Sequence, residues 1–338
     1  MKKTVLTILQ NYPLSAVKKI QPIAIGWVNK NFYITTDQGD YVLQRLAPVF
    51  DERTIEDIAL VVAHLNNKKV PTLKLTKTKR GGWHHKHDGH LWKLMQAIKG
   101  ETHEEIRSDK MAYEAGRALG EFIQGMKDFN SKQLKNPLRL HQTAQVYAAY
   151  LKIYSQLTEQ EKNTALLSCF SYIKEQLPQM MLPESLPQSI VHGDPKISNI
   201  IFQGEHACCM IDLDTCMLHT PLVDIGDAMW SWCGQAEDCL ENTFSLSRFK
   251  EALRGLTLSL ELSADEKKYI YQALQMITLE LASRFAKDIV EDAYFGWNQN
   301  KYSSRSQHNQ ARVRSLVHLS LDMCAKKEAI EKIVFPQN

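Results

Sequence analysis

The pattern of hydrophobic and polar positions changes character near residue 100. Between Ile20 and Leu46 the chain carries three short runs rich in β-branched and aromatic residues, IQPIAI, NFYITT and YVLQRL. Runs of this length and composition predict β-strands. The tetrad of residues 37–40, DQGD, separates the last two runs and predicts a hairpin turn.

A helix is predicted directly after these strands, over DERTIEDIALVVAHLNN. Acidic residues lie in its first turn, and its apolar residues recur every three or four positions on one face: Ile55, Ile58, Val62 and Leu65. Two more strands are predicted at PTLKLTKT and HLWKLMQAI, joined by the histidine-rich residues 80–90. These histidines suggest a metal site, but Asp88-Gly89 predicts a hairpin tip and no carboxylate or thiol stands at ligand spacing. A hairpin is therefore the favoured interpretation.

After Gly100 the periodicity is helical. Amphipathic helices are predicted at SDKMAYEAGRALGEFIQGMKDF, TAQVYAAYLKIYSQL and EQEKNTALLSCFSYIKEQL, and again from about Ser247 onward. The predicted fold class is α+β, with a small β-rich N-terminal lobe of residues 1–98 that contains one helix. Residues 99–338 form the larger, mainly helical lobe, and we expect the hinge between Met95 and Gly100.

Composition narrows the range of partners. With 338 residues, 44% of them apolar and 23% charged, the chain has the size and balance of a globular protein of two lobes. A net charge of +3 and the lack of a basic stripe with aromatic residues argue against nucleic acid. No apolar run approaches the roughly 18 residues of a membrane span, and the short run after Lys2-Lys3 predicts a docked helix and no signal peptide. Cysteines without CxxC spacing favour reduced thiols and a cytoplasmic protein. We expect either a monomer or a homodimer, and the sequence leaves this choice open.

The chemistry is concentrated in HGDPKISN, residues 192–199. Its Asp194, Lys196 and Asn199 have the spacing of the protein-kinase catalytic loop, in which the Asp takes a proton, the Lys steadies the phosphoryl group and the Asn binds magnesium. Thirteen residues after Asn199, Asp212 ends a second short strand and supplies a further oxygen ligand. These residues could instead be turn and strand-end groups satisfied by the backbone. The ordered set of four groups favours a site for phosphoryl transfer from Mg-ATP.

The wider motif VHGDPKISNIIF, with MIDLDT and DIGDA after it, resembles the aminoglycoside phosphotransferase and choline kinase superfamily. These are small-molecule kinases with a protein-kinase-like bilobal fold. The stretches YVLQRL, AGRALGEFIQGMKDF, ELASRFAKDIVEDAYF and HNQARVRSLVHLSLDM are similar to the branch that contains N-acetylhexosamine 1-kinases. The resemblance extends from about residue 20 to residue 325.

This resemblance implies an ATP- and Mg2+-dependent kinase of a small-molecule hydroxyl, plausibly that of a sugar. Asp194 would be the catalytic base and touch the acceptor, with Lys196 beside it. Asn199 and Asp212 would bind Mg2+ and Asp214 would assist. Further along, we expect Asp224 to brace the catalytic loop, with contact to the acceptor as an alternative.

The same resemblance implies that the N-terminal lobe binds the nucleotide. The loop IGWVNKNFY has one glycine, Gly26, which is a weak phosphate-loop signal by itself, and Asn29 and Lys30 are further candidate donors. The backbone of the hinge segment is expected to face adenine: Met95, Gln96, Ala97 and Ile98.

One departure from the superfamily pattern lies in YVLQRL. Its usual phosphate-binding lysine aligns with Gln44, and Arg45 is the next residue, yet successive strand residues point to opposite faces, so only one of them faces ATP. Lys30 is a candidate to supply the positive charge of the missing lysine. In the superfamily a carboxylate of the following helix pairs with that lysine, and Glu56 or Asp57 is the candidate for it here.

Acceptor recognition is assigned to residues of the sugar-kinase-like stretches: Arg284, Tyr294, His308 and Arg312. Arg284 could equally be a surface or ion-pair residue. The acid-free segment of residues 298–314 argues against a polycationic aminoglycoside, whereas three tryptophans leave choline open: Trp230, Trp232 and Trp297. Homoserine is a further acceptor, and Gln44 together with the poor glycine loop motivates an alternative, a catalytically inactive nucleotide-binding module.

Overall fold

A computed structural model describes residues 2–23, 29–135, 139–156 and 164–336. The fold is mixed α+β, as predicted. An antiparallel sheet occupies the N-terminal part, and the C-terminal part is mostly helical. Gly26 lies outside the described residues, so its predicted contact with phosphate stays a prediction.

The N-terminal sheet has six strands in the order β1-β2-β3-β6-β4, and β5 also pairs with β6. The strands are β1 (Val17–Ile23), β2 (Lys30–Thr36), β3 (Gly39–Arg45), β4 (Leu75–Thr76), β5 (His84–His87) and β6 (His90–Gln96), and the helices are α1 (Lys2–Leu9) and α2 (Glu52–Asn67). The histidine-rich tract forms a hairpin whose tip has positive φ at Asp88 and Gly89. Among the described residues there is no group of three or more His, Cys, Asp or Glu side chains that could hold a metal ion. The metal interpretation of the tract gains no support.

The two faces of this sheet have different neighbours. Leu43 and Trp92 pack with residues of α1 in a small core under one face. Because side chains alternate along a strand, Gln44 and Lys93 project from the opposite face, on which Met95 packs against the large core of α2 and the C-terminal helices. Gln44 therefore lies on the face that meets the large core, and Arg45 lies on the face that packs with α1. That Gln44 is the one of the two that faces ATP stays a prediction.

The C-terminal part consists of helices around two small antiparallel sheets. One sheet pairs β7 (Ser189–Val191) with β10 (Met217–His219), and the other pairs β8 (Ile200–Gln203) with β9 (His206–Met210). The helices are α3 (Asp109–Met126), α4 (Thr143–Gln156), α5 (Thr164–Gln176), α6 (Pro221–Cys233), α7 (Leu246–Leu256), α8 (Ala264–Lys268), α9 (Ile270–Glu291), α10 (Arg305–Ala325) and α11 (Lys327–Val334). No helix in the described ranges is both long and apolar enough to cross a membrane.

The connection between the two parts is held against β8. The Glu101 and Phe202 backbones exchange hydrogen bonds of 2.9 and 2.8 Å. Gly100 has φ +136°, and a Cβ there would lie 2.4 Å from the Phe202 carbonyl oxygen, so only glycine fits. The sheet ends at Gln96, and one continuous core extends from α2 to α11. The division of the chain at residue 98 remains a prediction.

Candidate active site

The predicted catalytic loop, residues 192–199, follows β7 and ends in a 3-10 turn over Ile197–Asn199. Lys196 Nζ donates a hydrogen bond of 2.7 Å to Asp194 Oδ2. Asn199 Nδ2 donates to the same oxygen at 3.1 Å and to the Asp194 carbonyl oxygen at 2.8 Å. The other carboxylate oxygen, Oδ1, has no partner among the described residues. The motif therefore fixes one oxygen of Asp194 and leaves the second open.

The charge state of Asp194 suits a proton acceptor. Burial acts to raise the pKa of its carboxyl, but the neighbouring Lys196 ammonium outweighs burial and holds the pKa below its usual value. Asp194 is thus ionised at neutral pH. A positioned carboxylate with one open oxygen can accept the hydrogen bond, and later the proton, of an attacking hydroxyl.

A buried carboxylate of α6 braces this loop. Asp224 accepts hydrogen bonds from the backbone N–H groups of His192 and Gly193 at 2.7 and 2.8 Å. The His192 ring donates to the Ile211 carbonyl oxygen at 2.8 Å. Since each Asp224 oxygen has a backbone partner and the side chain is fully buried, the structure supports the bracing role and offers no contact with an acceptor.

The oxygen atoms left unpaired near the loop fit a magnesium ion. Asp212 has φ 63°, an uncommon left-handed conformation for a non-glycine residue, and its buried Oδ1 has no hydrogen-bond partner in the described part of the chain. Asn199 uses its amide nitrogen within the loop, which leaves its oxygen as the free group. Mg2+ prefers oxygen and needs only one or two protein carboxylates when phosphate oxygens and water complete its shell. Asp212 and Asn199 would hold the ion on these grounds.

Asp214 does not offer an open metal ligand, contrary to the predicted assisting role. One of its oxygens accepts from the Lys93 ammonium, and the other accepts from Asn29 Nδ2 at 2.9 Å. Asn29 in turn accepts a hydrogen bond of 2.9 Å from the Ala47 backbone. Asn29 is thus a structural link between Asp214 and the sheet, whereas the Lys30 side chain is exposed.

Sequence reasoning missed Lys93. No local motif marks it, because only the register of β3 on β6 places it opposite Gln44. The helix carboxylates predicted to accompany a phosphate-binding lysine lie elsewhere, since both Asp57 oxygens accept from the Lys135 backbone at 2.9 Å and Glu56 is exposed. The carboxylate partner of the buried lysine is Asp214.

In the segment predicted to face adenine, residues 95–98, some backbone N–H groups are already used in hydrogen bonds to neighbouring strands and turns. The backbone N–H groups of Gln96 and Ala97 donate to the carbonyl oxygens of Lys74 and Asp40, each at 2.9 Å. Ile98 forms no backbone hydrogen bond within the described ranges. Of the four predicted residues, Ile98 is therefore the candidate with a free backbone N–H group for adenine.

A buried ion pair connects the predicted catalytic loop to α9, and no motif along the chain predicts it. His141 Nδ1 lies 3.0 Å from Glu280 Oε1, and its Nε2 lies 3.2 Å from the Gly193 carbonyl oxygen. Both partners only accept hydrogen bonds, so the ring donates from both nitrogens and is protonated. Burial opposes this charge, but the Glu280 carboxylate outweighs it and raises the pKa of His141 to about 9.

This pair predicts a loss of stability at alkaline pH. The folded pKa of His141, about 9, exceeds its ordinary value of 6.5, so the stabilisation is complete below pH 6.5 and disappears as the pH rises through 9. Glu280, whose pKa is lowered despite burial by the His141 charge, keeps its contribution above its ordinary pKa of 4.5. Between pH 7 and pH 10 we expect the free energy of unfolding, measured with urea, to fall by roughly 2 kcal/mol from this source.

The control is the double variant His141→Gln/Glu280→Gln, which removes both charges together. Its free energy of unfolding should fall distinctly less between pH 7 and pH 10 than that of the unaltered protein. Equal losses in the two proteins would contradict the assignment of a protonated His141.

Arg284 lies one turn after Glu280 on α9, on the side of the catalytic loop. Its positive charge acts on both His141 and Glu280. The guanidinium lies 5.8 Å from the Tyr294 ring centroid and 5.5 Å from that of Phe295, and it has no hydrogen bond or ion pair among the described residues. Tyr294 is 65% exposed. These two predicted acceptor residues are thus adjacent and available.

His308 and Arg312, the other two predicted acceptor residues, form hydrogen bonds within the protein. Both are buried. Arg312 donates to Glu237 at 2.6 Å and to the Gly296 carbonyl oxygen at 2.8 Å, and His308 accepts from the Asn298 backbone at 3.2 Å. They shape the loop between α9 and α10, and their predicted contact with the acceptor is not supported.

Three of the four Lys and Arg residues in the segment 298–314 pair with acids from outside it. Lys301 pairs with Asp238 at 2.8 Å and Arg305 pairs with Asp292 at 3.0 Å. These pairs weaken the argument from charge, and the exclusion of aminoglycosides stays a prediction.

Asp227 lies beside the catalytic loop and was not predicted to contact the acceptor. Trp230 Nε1 donates to its Oδ1 at 2.9 Å, and the charges of Asp194 and Lys196 both act on its carboxyl. Burial raises the pKa of Asp227 to about 6. Trp230 is half-buried, whereas Trp232 is fully buried and donates to the Pro195 carbonyl oxygen at 3.1 Å. Trp232 is therefore not available to an acceptor.

Comparison with known proteins gives a family and a fold. A family model described as "Phosphotransferase enzyme family" matches residues 19–254. A protein named homoserine kinase from Beijerinckia indica subsp. indica is 22% identical over 282 residues, which cover 83% of this chain and 82% of the relative. Another protein of that name, from Neisseria meningitidis serogroup B, is 24% identical over 264 residues, covering 77% and 80%.

Solved structures share the fold over nearly the whole chain. A microcompartment-associated aminopropanol kinase superposes with a TM-score of 0.69 at 12% identity, covering 98% of this chain and 99% of the other. The amicoumacin kinase hAmiN, in complex with AMP-PNP and Ca2+, gives a TM-score of 0.64 at 14% identity, covering 94% and 93%. At these identities the likeness shows the fold, and it confirms the predicted α+β fold class.

Proposed function

Since the chain belongs to the phosphotransferase enzyme family and is a small-molecule kinase, we propose that it transfers the γ-phosphoryl group of Mg-ATP to a sugar hydroxyl. The observation that carries the proposal is Asp194, ionised, fixed by Lys196 and Asn199, and open at Oδ1. The acceptor that we propose is an N-acetylhexosamine, phosphorylated at its anomeric hydroxyl. Asp194, Asn199 and Asp212 are the groups assigned to this chemistry.

Phosphoryl transfer requires mainly positioning and charge neutralisation. Asp194 Oδ1 would orient the acceptor hydroxyl and take its proton while the new oxygen–phosphorus bond forms. The bond between the γ-phosphorus and the bridging oxygen breaks, and ADP leaves. Lys196, which uses one donor on Asp194, has further N–H donors for the transferring group. The magnesium ion, when bound, neutralises phosphate charge.

The acceptor side of the cleft suits a sugar. Arg284 and Tyr294 provide an unpaired guanidinium and an exposed aromatic ring, and Asp227 has an oxygen that Trp230 does not use. A ring can lie against a sugar face, and the charged groups can bind hydroxyl and acetamido groups. The His141–Glu280 pair would keep these residues in register with Asp194 because it ties α9 to the catalytic loop.

Homoserine is the second candidate acceptor, because several relatives carry that name at 22–24% identity. An amino acid needs a carboxylate for its ammonium and a cation for its carboxylate, and Asp227 and Arg284 have these charges. Choline and aminoglycosides are further candidate acceptors.

The acceptor is tested by ADP release with Mg2+ across N-acetylhexosamines, other sugars, homoserine, choline and aminoglycosides. We expect the highest kcat/KM with an N-acetylhexosamine. A higher value with homoserine would replace the sugar proposal while preserving the kinase assignment. ATP binding without turnover of any acceptor would instead favour the inactive nucleotide-binding module.

Arg284 provides a prediction about specificity. The Arg284→Gln variant should raise the KM for the acceptor about 10-fold or more, because a charge-assisted hydrogen bond is lost, and leave the KM for ATP unchanged. The control is Lys287→Gln, which removes a charge three residues away that is paired with Glu291 at 2.7 Å. An unchanged acceptor KM in Arg284→Gln would remove Arg284 from the acceptor site.

A further inference from the structure

Lys93 is a buried cation on β6, the strand next to β3. The superfamily pattern places its lysine on β3, at the position of Gln44. Gln44 on β3 lies directly opposite Lys93 on β6 in an antiparallel pair. Side chains of directly opposed residues lie on the same face, with Cβ atoms about 5 Å apart. A lysine at either position could therefore bring its ammonium to one region of the cleft.

Near Lys93, two buried polar oxygens lack hydrogen-bond partners within the described ranges. Lys93 is 1% exposed and makes an ion pair with Asp214. Gln44 is 6% exposed, and neither its Oε1 nor the buried Oδ1 of Asp212 has a hydrogen-bond partner among the residues that the structure describes. Buried polar atoms without partners are rare in folded proteins, and a bound water, ion or ligand is one way in which they are satisfied.

The position of Lys93 relative to the magnesium ligands identifies that ligand. Its partner Asp214 is two residues from Asp212, and the positive charge of Lys93 acts on the Asp212 carboxyl. A cation beside an Mg2+ ligand lies where ATP presents its phosphate oxygens. A lysine ammonium has three N–H donors and Asp214 uses one of them, so it can bind phosphate without giving up this ion pair.

We propose that Lys93 on β6 is the phosphate-binding lysine of this protein, with Asp214 as its carboxylate partner and Gln44 as its neutral neighbour. The proposal rests on the proposed use of ATP. The superfamily lysine that Gln44 replaces is thus not lost, because its charge enters the same cleft from the adjacent strand. The usual helix carboxylate is replaced as well, by a residue that follows the Mg2+ ligand.

The test compares affinities for ATP and for adenosine, which lacks phosphates, by calorimetry with Mg2+ present. Lys93→Met should weaken ATP binding about 10- to 100-fold, the loss of one charge-assisted hydrogen bond in a buried site. Adenosine binding should stay within about twofold of the unaltered protein. The control Lys86→Met removes an exposed lysine from β5, and both affinities should remain unchanged.

Because Lys93→Met leaves Asp214 buried and unpaired, the fold itself could suffer. The double variant Lys93→Met/Asp214→Asn removes both charges and should show the same selective loss of ATP affinity. The exchange variant Gln44→Lys/Lys93→Gln should recover at least half of the lost affinity on a logarithmic scale. This recovery depends on the ammonium reaching the phosphates from β3.

Three outcomes would overturn the assignment: unchanged ATP affinity in Lys93→Met, equal losses for ATP and adenosine in the double variant, or no recovery in the exchange variant. Each of these leaves the kinase function intact as long as the unaltered protein phosphorylates an acceptor. Failure of the unaltered protein to phosphorylate any acceptor would contradict the proposed function, and the comparison of ATP with adenosine would still test Lys93.

Discussion

The Asp194→Asn variant is expected to turn over its acceptor about 10²- to 10⁴-fold more slowly than the unaltered protein, with ATP affinity within about twofold. Asparagine has the shape of aspartate but cannot take a proton, so the substitution removes the base without creating a cavity. ATP affinity should survive because the groups assigned to the nucleotide belong to Asn199, Asp212 and the sheet. Initial rates of ADP release and calorimetry with ATP measure the two quantities separately.

The control for this experiment is Asp265→Asn, which makes the same chemical change at an exposed residue of α8. Its kcat and KM should be unaltered. A kcat for Asp194→Asn within a factor of three of the unaltered protein would exclude Asp194 as the base. A parallel collapse of ATP affinity would instead place Asp194 in nucleotide binding.

The second large effect is expected for Asp212→Asn, which should abolish the strengthening of ATP binding by Mg2+. Asp212 has φ 63°, and asparagine tolerates the left-handed conformation, so the backbone can keep its shape. The variant loses the negative charge that its unpaired buried oxygen would direct at the metal. We expect ATP affinity with Mg2+ to fall at least about tenfold, while the affinity in EDTA remains unchanged.

Asp214→Asn serves as the comparison, because both Asp214 oxygens are engaged by Lys93 and Asn29. This variant should weaken ATP binding through Lys93 in both conditions and retain the ratio between Mg2+ and EDTA. An Asp212→Asn protein that keeps the full magnesium effect would show that Asp212 is not a ligand. The melting temperature of each variant, measured without nucleotide, shows whether the fold is preserved.

Local features of this protein could be predicted from its sequence. Asp194, Lys196 and Asn199 lie within six consecutive residues, and the structure brings them into contact. The helix predicted over residues 51–67 is α2, and its N-cap is Asp51, whose side chain accepts from the Arg53 backbone N–H. In both cases the physical cause acts over a few residues, so the pattern along the chain contains it.

Features that depend on distant contacts could not be predicted in this way. Lys93 faces the cleft because of the register of β6 on β3, and His141 meets Glu280 across 139 positions of the chain. Arg312 matched an acceptor-binding stretch by type, but its partner Glu237 lies on a separate segment. Charge and residue type suggested function for Arg284 and Arg312 alike, and only the partners distinguish them.

Transfer of label from [γ-32P]ATP to an acceptor decides whether the protein is a sugar kinase with Asp194 as its base. With N-acetylhexosamine and Mg2+, we predict a labelled sugar whose phosphate is released by mild acid, as expected for an anomeric phosphate. The Asp194→Asn protein should form this product at least about 100-fold more slowly. Label found only in ATP or inorganic phosphate with every acceptor tested would contradict this function.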